Sequence, residues 1–284
     1  MKTTKLLSTL VVLFSINVVS FAQDAILHGG HGHPQPGDDV GPKLHVNPRW
    51  RECSFQLDPG LTQGSWREFT KEAGLVVSFR PLTDAKPNGV HNFEISILQW
   101  STAIDESKDA WNDTFVHPDS SHWLVGGPRL PIMGLTSRMG ITEKLDLAVY
   151  VTKSPGANYG FYGAQAQYNL IDNNEKNFST SARGSFVSMY GPEDVKLTVY
   201  TADLVLSKAL VLHDKWLVLS PYVLLSSYMS ASKEKSDVVS LKDERIFGVQ
   251  TSAGVVAKIA MASLAFEYNH ATVNTISMKV GAKF

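Results

Sequence analysis

Three histidines near the amino terminus are the first residues whose spacing suggests chemistry. His28, His31 and His33 alternate with glycines, and prolines follow them directly. Imidazole nitrogens at this density can hold zinc, copper or nickel. No carboxylate lies between them to order the ligands, so the stretch is equally typical of a solvated linker. These histidines are therefore candidate metal ligands, and the sequence predicts no resident cofactor.

A second group of reactive side chains lies between residues 111 and 123. His117, Asp119, Ser121 and His122 supply the residue types of a nucleophilic triad. A triad also needs fixed geometry, and a polar loop contains these residue types by chance. The same stretch carries three aromatic residues, Trp111, Phe115 and Trp123. These rings predict that the loop packs onto the rim of the fold or into its mouth. Because the triad residue types are expected by chance in such a loop, we expect that the protein is not an enzyme.

Composition excludes several classes of protein. The chain has 284 residues, 43% of them hydrophobic and 19% charged, with a formal net charge of −1. Such a balance lacks the basic stripe of a nucleic-acid-binding protein. A single cysteine, Cys53, excludes an internal disulfide. A mean hydropathy of −0.07 excludes a polytopic helical membrane protein, but it is compatible with a membrane β-barrel, whose lumen-facing residues are polar.

The amino terminus has the pattern of a secretory signal peptide. Lys2 and Lys5 precede an apolar run from Leu6 to Val19, and Ser20 and Ala22 place small residues at the cleavage positions. The run is shorter than the stretch that a transmembrane helix needs. We expect a signal peptide over residues 1–22, a flexible leader rich in histidine, glycine and proline over 23–48, and a β domain over 49–284.

The secondary structure that would position such a site is β-strand, because apolar and polar residues alternate along most of the chain. No segment shows a convincing helical period. Many segments are about ten residues long, which matches a tilted crossing of a bilayer. Aromatic residues lie near the predicted segment ends, where an interfacial girdle would form: Phe69, Phe79, Trp100, Tyr150, Tyr159, Tyr190, Trp216, Tyr228, Phe247 and Phe284. The pattern predicts an all-β, transmembrane, antiparallel up-and-down barrel, with a soluble sandwich as the alternative.

The last strand carries a family resemblance. Ile276, Met278, Val280 and the terminal Phe284 share one face, and this ending resembles the carboxy-terminal strand of Gram-negative outer-membrane β-barrel proteins. The resemblance implies residence in the outer membrane, contact with its lipid, and recognition of this strand by the barrel assembly machinery. Ala282 departs from the pattern, since many members carry a bulkier residue there. No particular porin, transporter or enzyme family is matched.

Connectivity sets the number of strands. Eleven segments alternate, at about 68–80, 90–100, 131–141, 145–153, 158–171, 178–190, 195–208, 216–229, 245–258, 262–270 and 274–284. An even count with both termini in the periplasm requires one more strand, for which Trp50 to Leu57 is the candidate. We expect about twelve strands, with ten as the alternative. The long connections, 101–130 and 230–244, then both lie outside the cell. Apolar residues change face between Val199 and Leu204, which indicates a β-bulge or a misread register.

The expected lumen is polar and carries both signs of charge. The inward residues are Glu72, Arg80, Glu94, Arg138, Asp146, Gln165, Gln167, Arg183, Asp203, Gln250, Lys258, Glu267 and Lys279. Such a lining suits a water-filled channel, or a closed barrel whose acids and bases pair across a narrow interior. The main expectation is a passive channel or small-solute transporter. A closed structural or adhesive barrel and a lipid-modifying outer-membrane enzyme are the alternatives.

Overall fold

A computed structural model describes residues 46–47, 52–53, 57–105, 107–112, 114–115, 128–153, 159–173, 177–212 and 216–284. Three sequence predictions lie outside these residues. They are the signal peptide, the metal ligands His28, His31 and His33, and the reactive stretch 117–122.

Ten antiparallel strands close into a barrel. Two short strands, β1 (Val46–Asn47) and β2 (Glu52–Cys53), pair only with each other. The wall consists of β3 (Phe93–Ala103), β4 (Arg129–Gly140), β5 (Leu145–Lys153), β6 (Gly160–Asn173), β7 (Phe178–Tyr190), β8 (Val195–Lys208), β10 (Leu217–Glu234), β11 (Glu244–Ile259), β12 (Ala262–His270) and β13 (Thr275–Lys283). A three-residue strand, β9 (Leu210–Leu212), pairs with β10 beside β8. Because β13 pairs with β3, the sheet closes on itself.

The wall is apolar outside and polar inside. In β4, Leu135 is 52% exposed, whereas the neighbouring Thr136 is 7% exposed and faces the lumen. The same alternation runs along the other barrel strands. Outward apolar residues include Ile95, Ile97, Met133, Val149, Val151, Leu170, Leu204, Leu206, Val223, Leu225, Val249 and Phe266. A closed barrel with this polarity satisfies every strand edge and presents hydrocarbon to lipid, as a membrane barrel requires.

The two ends of the barrel differ in loop length. The end that holds Phe284 is connected by short turns, at 141–144, 174–177, 213–216 and 260–261. The opposite end carries the long connections 104–128 and 235–243. Outer-membrane barrels keep short turns in the periplasm and long loops outside. We therefore call these the inner end and the outer end.

The segment predicted as a strand at 68–80 is a helix, so that prediction is wrong. Helix α1 (Gln63–Val77) begins after Thr62, whose side chain accepts a hydrogen bond from the Ser65 amide. The helix lies inside the barrel and is buried on most sides, so apolar residues do not mark one stripe. Its last turn, with Leu75 and Val77, imitates the alternation of a strand. Neither helix among the described residues is long and apolar enough to cross a membrane.

The first predicted strand, Trp50 to Leu57, is also wrong as a member of the wall. In its described part, β2 pairs with β1, and Leu57 forms an isolated bridge with Phe115. The loss of this strand and of the strand at 68–80 brings the expected twelve strands to the observed ten. The outer membrane-type barrel itself is confirmed.

After α1, residues 78–92 form an irregular strap that continues through the lumen to the inner end. We call residues 61–92, which comprise α1 and the strap, the plug. The predicted aromatic girdle is wrong for several residues because their rings pack around the plug: Phe69, Phe79, Trp100, Tyr150, Tyr159 and Tyr228 are buried. Tyr190, Trp216, Phe247 and Phe284 are exposed, as an outer girdle requires.

Candidate functional site

The outer half of the lumen is filled by aromatic packing around α1. Phe69 lies with its ring centroid 5.6 Å from that of Trp66, 5.4 Å from Trp111 and 5.1 Å from Phe115. Trp111 belongs to a short helix, α2 (Asp109–Asn112), in the long outer connection. The described part of this connection, with Trp111 and Phe115, therefore packs into the mouth of the barrel, as predicted for these two rings. Trp123 lies outside the described residues.

Glu72 fastens the outer connection to α1. Its carboxylate accepts hydrogen bonds from Lys108 Nζ at 2.8 Å and from Trp111 Nε1 at 2.6 Å. The side chain of Glu72 is 1% exposed, so these two donors replace the water that a carboxylate needs. The hydrogen bond to Glu72 raises the pKa of Lys108. Glu72 thus joins the outer connection to α1 at the mouth of the barrel.

Close contact holds α1 against the wall. A Cβ atom built on Gly74 would lie 2.4 Å from Cβ of Ser230 on β10, so only glycine fits there. Ser230 Oγ donates to the Thr70 carbonyl at 2.7 Å, and Trp100 Nε1 donates to the Val76 carbonyl at 2.8 Å. The helix is therefore seated on specific wall residues.

Arg80 joins the helix to the strap. Its guanidinium donates to the carbonyls of Leu75 at 2.6 Å and Ser78 at 2.8 Å, which lie at the end of α1. It also donates to Asn269 Oδ1 and Thr275 Oγ1 on the wall, both at 3.2 Å. Since the last carbonyls of a helix lack partners within it, Arg80 both caps α1 and ties it to β12 and β13.

The strap has no secondary structure, so its backbone groups need partners from elsewhere. The wall supplies them through side chains. Arg183 donates to the carbonyls of Thr83 at 2.6 Å and Asp84 at 3.1 Å. The amide of Asn88 donates to the Asp146 carboxylate at 2.9 Å. Further contacts of this kind join Ala85 to Ser207 and Asn169, Lys86 to Arg138, and Asn88 to Lys283.

Among the described residues, three ion pairs lie in the inner half. Asp84 of the strap binds Lys258 of β11 at 2.6 Å. Glu94 of β3 binds Lys279 of β13 at 2.8 Å, with both side chains almost wholly buried. Arg138 pairs with Asp146. Pairing of this kind is what allows charges to remain in a dry interior.

The structure places the residues expected to line the lumen in two groups. Eleven lie on the inner face of the wall: Glu94, Arg138, Asp146, Gln165, Gln167, Arg183, Asp203, Gln250, Lys258, Glu267 and Lys279. Glu72 and Arg80 lie in the plug instead. Gln167, Arg183, Asp203, Ser226 and Gln250 are direct cross-strand neighbours and form one polar row.

Sequence reasoning missed the backbone of the strap as the partner of these side chains. The change of face within the segment 195–208 was the available signal. Of its two interpretations, a β-bulge or a misread register, the bulge is wrong. Pairing is regular on both sides of β8. Val195, Leu197 and Val199 face inward because the outer half of the lumen is apolar, whereas Leu204 and Leu206 face lipid.

A small cavity lies beside the strap. It has a volume of about 10 Å³, lies between Pro81, Thr83, Glu94 and Lys279, and could hold about one water molecule. A groove of about 620 Å³ lies on the lipid-facing surface among Leu204, Leu206, Val223, Leu225 and neighbouring residues. Within the described ranges, no group of three or more His, Cys, Asp or Glu residues is placed to hold a metal ion.

No model of a known protein family matches the sequence, and no curated protein matches it. Among solved structures, the chain is similar to the translocator domain of autotransporter NalP from Neisseria meningitidis, with 9% identity, a TM-score of 0.41, and coverage of 79% of this chain and 99% of that one. It is similar to the β domain of the Bordetella autotransporter BrkA, with 10% identity, a TM-score of 0.39, and coverage of 69% and 99%. It is also similar to the outer membrane protease OmpT from Escherichia coli, with 8% identity, a TM-score of 0.35, and coverage of 68% and 95%.

The geometry of the chain itself defines its class. A closed wall of ten antiparallel strands, apolar outside and polar inside, is an outer-membrane β-barrel. The resemblance of the terminal strand to Gram-negative outer-membrane barrels is thus confirmed at the level of fold and location. Within this class, the chain has a plugged lumen, because its own residues 61–92 fill the interior.

Proposed function

We propose that this protein is a sealed outer-membrane barrel that conducts no solute and serves as a membrane anchor. One observation carries the proposal: the strap takes its hydrogen-bond partners from the wall, residue after residue. This supports the closed-barrel alternative over the passive channel that a polar lining first suggested. Water or solute in the lumen would have to compete with Arg183, Asp146 and Asn169 for the strap backbone.

Displacing the plug would be costly. Each buried carbonyl left without a donor costs about 1–3 kcal/mol, and the strap presents several. The aromatic layer around Phe69 adds apolar burial at the outer end. The plug is therefore a part of the folded barrel, and spontaneous opening would be rare.

The proposed role is not enzymatic. The aromatic residues that meet at the outer mouth, Trp66, Phe69, Trp111 and Phe115, supply no nucleophile or base. The carboxylate of Glu72 beside them is engaged by Lys108 and Trp111. The lipid-modifying alternative rests on residues 117–122, which lie outside the described part of the chain.

A small-solute pathway is the second candidate function, and the polar row from Gln167 to Gln250 favours it. Arg183 Nη1 and Gln250 Oε1, both in this row, have no hydrogen-bond partner within the described residues. A narrow seam along the row would let water or a small ion pass beside the plug.

Conductance in a planar bilayer distinguishes the two candidates. Folded protein, verified by heat-modifiable gel mobility, is inserted next to an open porin as a control for insertion. A sealed barrel gives no stepwise conductance. A variant that lacks residues 61–88 and still shows heat-modifiable mobility should conduct, because α1 and most of the strap are gone. Stepwise conductance of the unaltered protein would contradict the sealed barrel and support the seam.

A further inference from the structure

The plug crosses the lumen in one direction, from the outer end to the inner end of the barrel. The plug begins at the outer end. The Leu57 amide donates to Asp194 in the connection between β7 and β8, at 3.3 Å, and the Asp58 amide donates to the Thr114 carbonyl at 3.1 Å. Both partners belong to connections at the outer end of the barrel.

The first turns of α1 are fixed at the same end. Gln63 Nε2 donates to Glu244 at 2.6 Å, and Arg67 pairs with the same carboxylate at 3.2 Å. Glu244 is the first residue of β11, directly after the long connection 235–243. The amino terminus of α1 therefore points out of the barrel on the side of the long loops.

The strap leaves at the inner end. Lys283, the last residue of β13, donates to the Asn88 carbonyl at 2.8 Å. The His91 amide donates to the Gly140 carbonyl, where β4 ends. Phe93 then starts β3 and exchanges backbone hydrogen bonds with Phe284. Between Leu57 and Phe93 the chain thus crosses the whole lumen once, from outer end to inner end.

We propose that the part of the chain before Leu57 lies on the outer side of the membrane, reachable from outside the cell. Barrels of this class ordinarily keep both termini in the periplasm, and this chain departs from that rule because its plug runs through the lumen. By this topology, Cys53 and the three histidines lie on the outer side of the membrane, and the sealed barrel anchors the part of the chain that contains them. The inference rests on the orientation of the barrel and deepens the proposed anchoring function.

The test uses a maleimide too large to cross the outer membrane, applied to intact cells. Cys53 is the only cysteine of the chain, so a Cys53→Ser background accepts single new cysteines. The reporter is Gln35→Cys in the leader. Asp237→Cys, exposed in the outer connection, and Glu143→Cys, exposed in an inner turn, mark the two sides of the membrane. Each variant is first checked for heat-modifiable mobility.

We expect the cysteine at position 35 to react in intact cells to the same extent as the one at position 237. The cysteine at position 143 should react only after the outer membrane is permeabilised. Reaction at position 35 only after permeabilisation, or only after denaturation, would overturn the proposal. A barrel that does not conduct and whose position 35 is unreactive in intact cells would refute this topology and leave the sealed-barrel proposal intact. A barrel that conducts and whose position 35 reacts in intact cells would support the topology and refute the sealed barrel.

Discussion

Replacing Arg183 by methionine should loosen the strap without opening the wall. Arg183 is 3% exposed and donates to the carbonyls of Thr83 and Asp84. The Thr83 carbonyl would lose the Arg183 donor, and the Asp84 carbonyl would keep only Gln167 Nε2, at 3.5 Å. At about 1–3 kcal/mol for each buried carbonyl, the two losses together cost about 2–6 kcal/mol. The variant also removes the desolvation cost of the guanidinium, so we expect the lower part of this summed range, about 2–4 kcal/mol. At 1.4 kcal/mol per factor of ten, the open strap becomes about 30- to 700-fold more populated.

Hydrogen exchange measures that population. The amides of Ala85 and Asn88 donate to Ser207 at 3.1 Å and to Asp146 at 2.9 Å, so they exchange only when the strap leaves the wall. Both should exchange about 30- to 700-fold faster in Arg183→Met, while amides of the barrel strands keep their protection. Arg245→Met, at an exposed position of β11, is the matched control. Equal exchange of the strap amides in both variants would refute the idea that the wall side chains hold the plug.

Two further predictions concern the seat of the helix and the end of the chain. Gly74→Val should lower the temperature at which the folded barrel unfolds in detergent, because its Cβ would lie 2.4 Å from Cβ of Ser230. Gly64→Val, in the exposed first turn of α1, should leave that temperature unchanged. Equal decreases in unfolding temperature for both variants would argue against close packing of α1 on the wall. Phe284→Ala should reduce the amount of assembled barrel in outer membranes, because we propose that the assembly machinery reads this terminal aromatic; Phe247→Ala, which removes an equally exposed outward ring, should have little effect, and similar losses for both would refute a terminal signal.

The wall was predictable from sequence because alternation is a local property. In β13, Ile276 and Met278 face lipid while Ser277 and Lys279 face the lumen, as the period of two requires. The orientation of the loops also followed from connection lengths. Helix α1 was not predictable in this way, because its second half, residues 72–77, is buried around the whole circumference of the helix. That half therefore lacks the apolar stripe that identifies surface helices.

The sequence of the inner wall does not distinguish a water-filled channel from a plugged barrel. Arg138, Arg183 and Asp146 have the same residue types whether they line a water-filled channel or hold a plug. What decides between the two is the identity of their partners. In this protein the partners include the backbone amides and carbonyls of the strap, and backbone groups are common to every residue type, so they leave no mark in the sequence.

A change of face within one strand does leave a mark. The inward residues of β8 are apolar from Val195 to Val199 and mainly polar further on, where Thr201, Asp203 and Ser207 accompany Val205, because the strand passes first α1 and then the strap. A lumen filled only with water would favour polar inward residues along the whole strand. An inward face that changes from apolar to polar, in a strand with regular pairing, therefore indicates an enclosed object with an apolar outer part. For this chain, that object is its own amino-terminal segment, and its direction of crossing places the preceding residues outside.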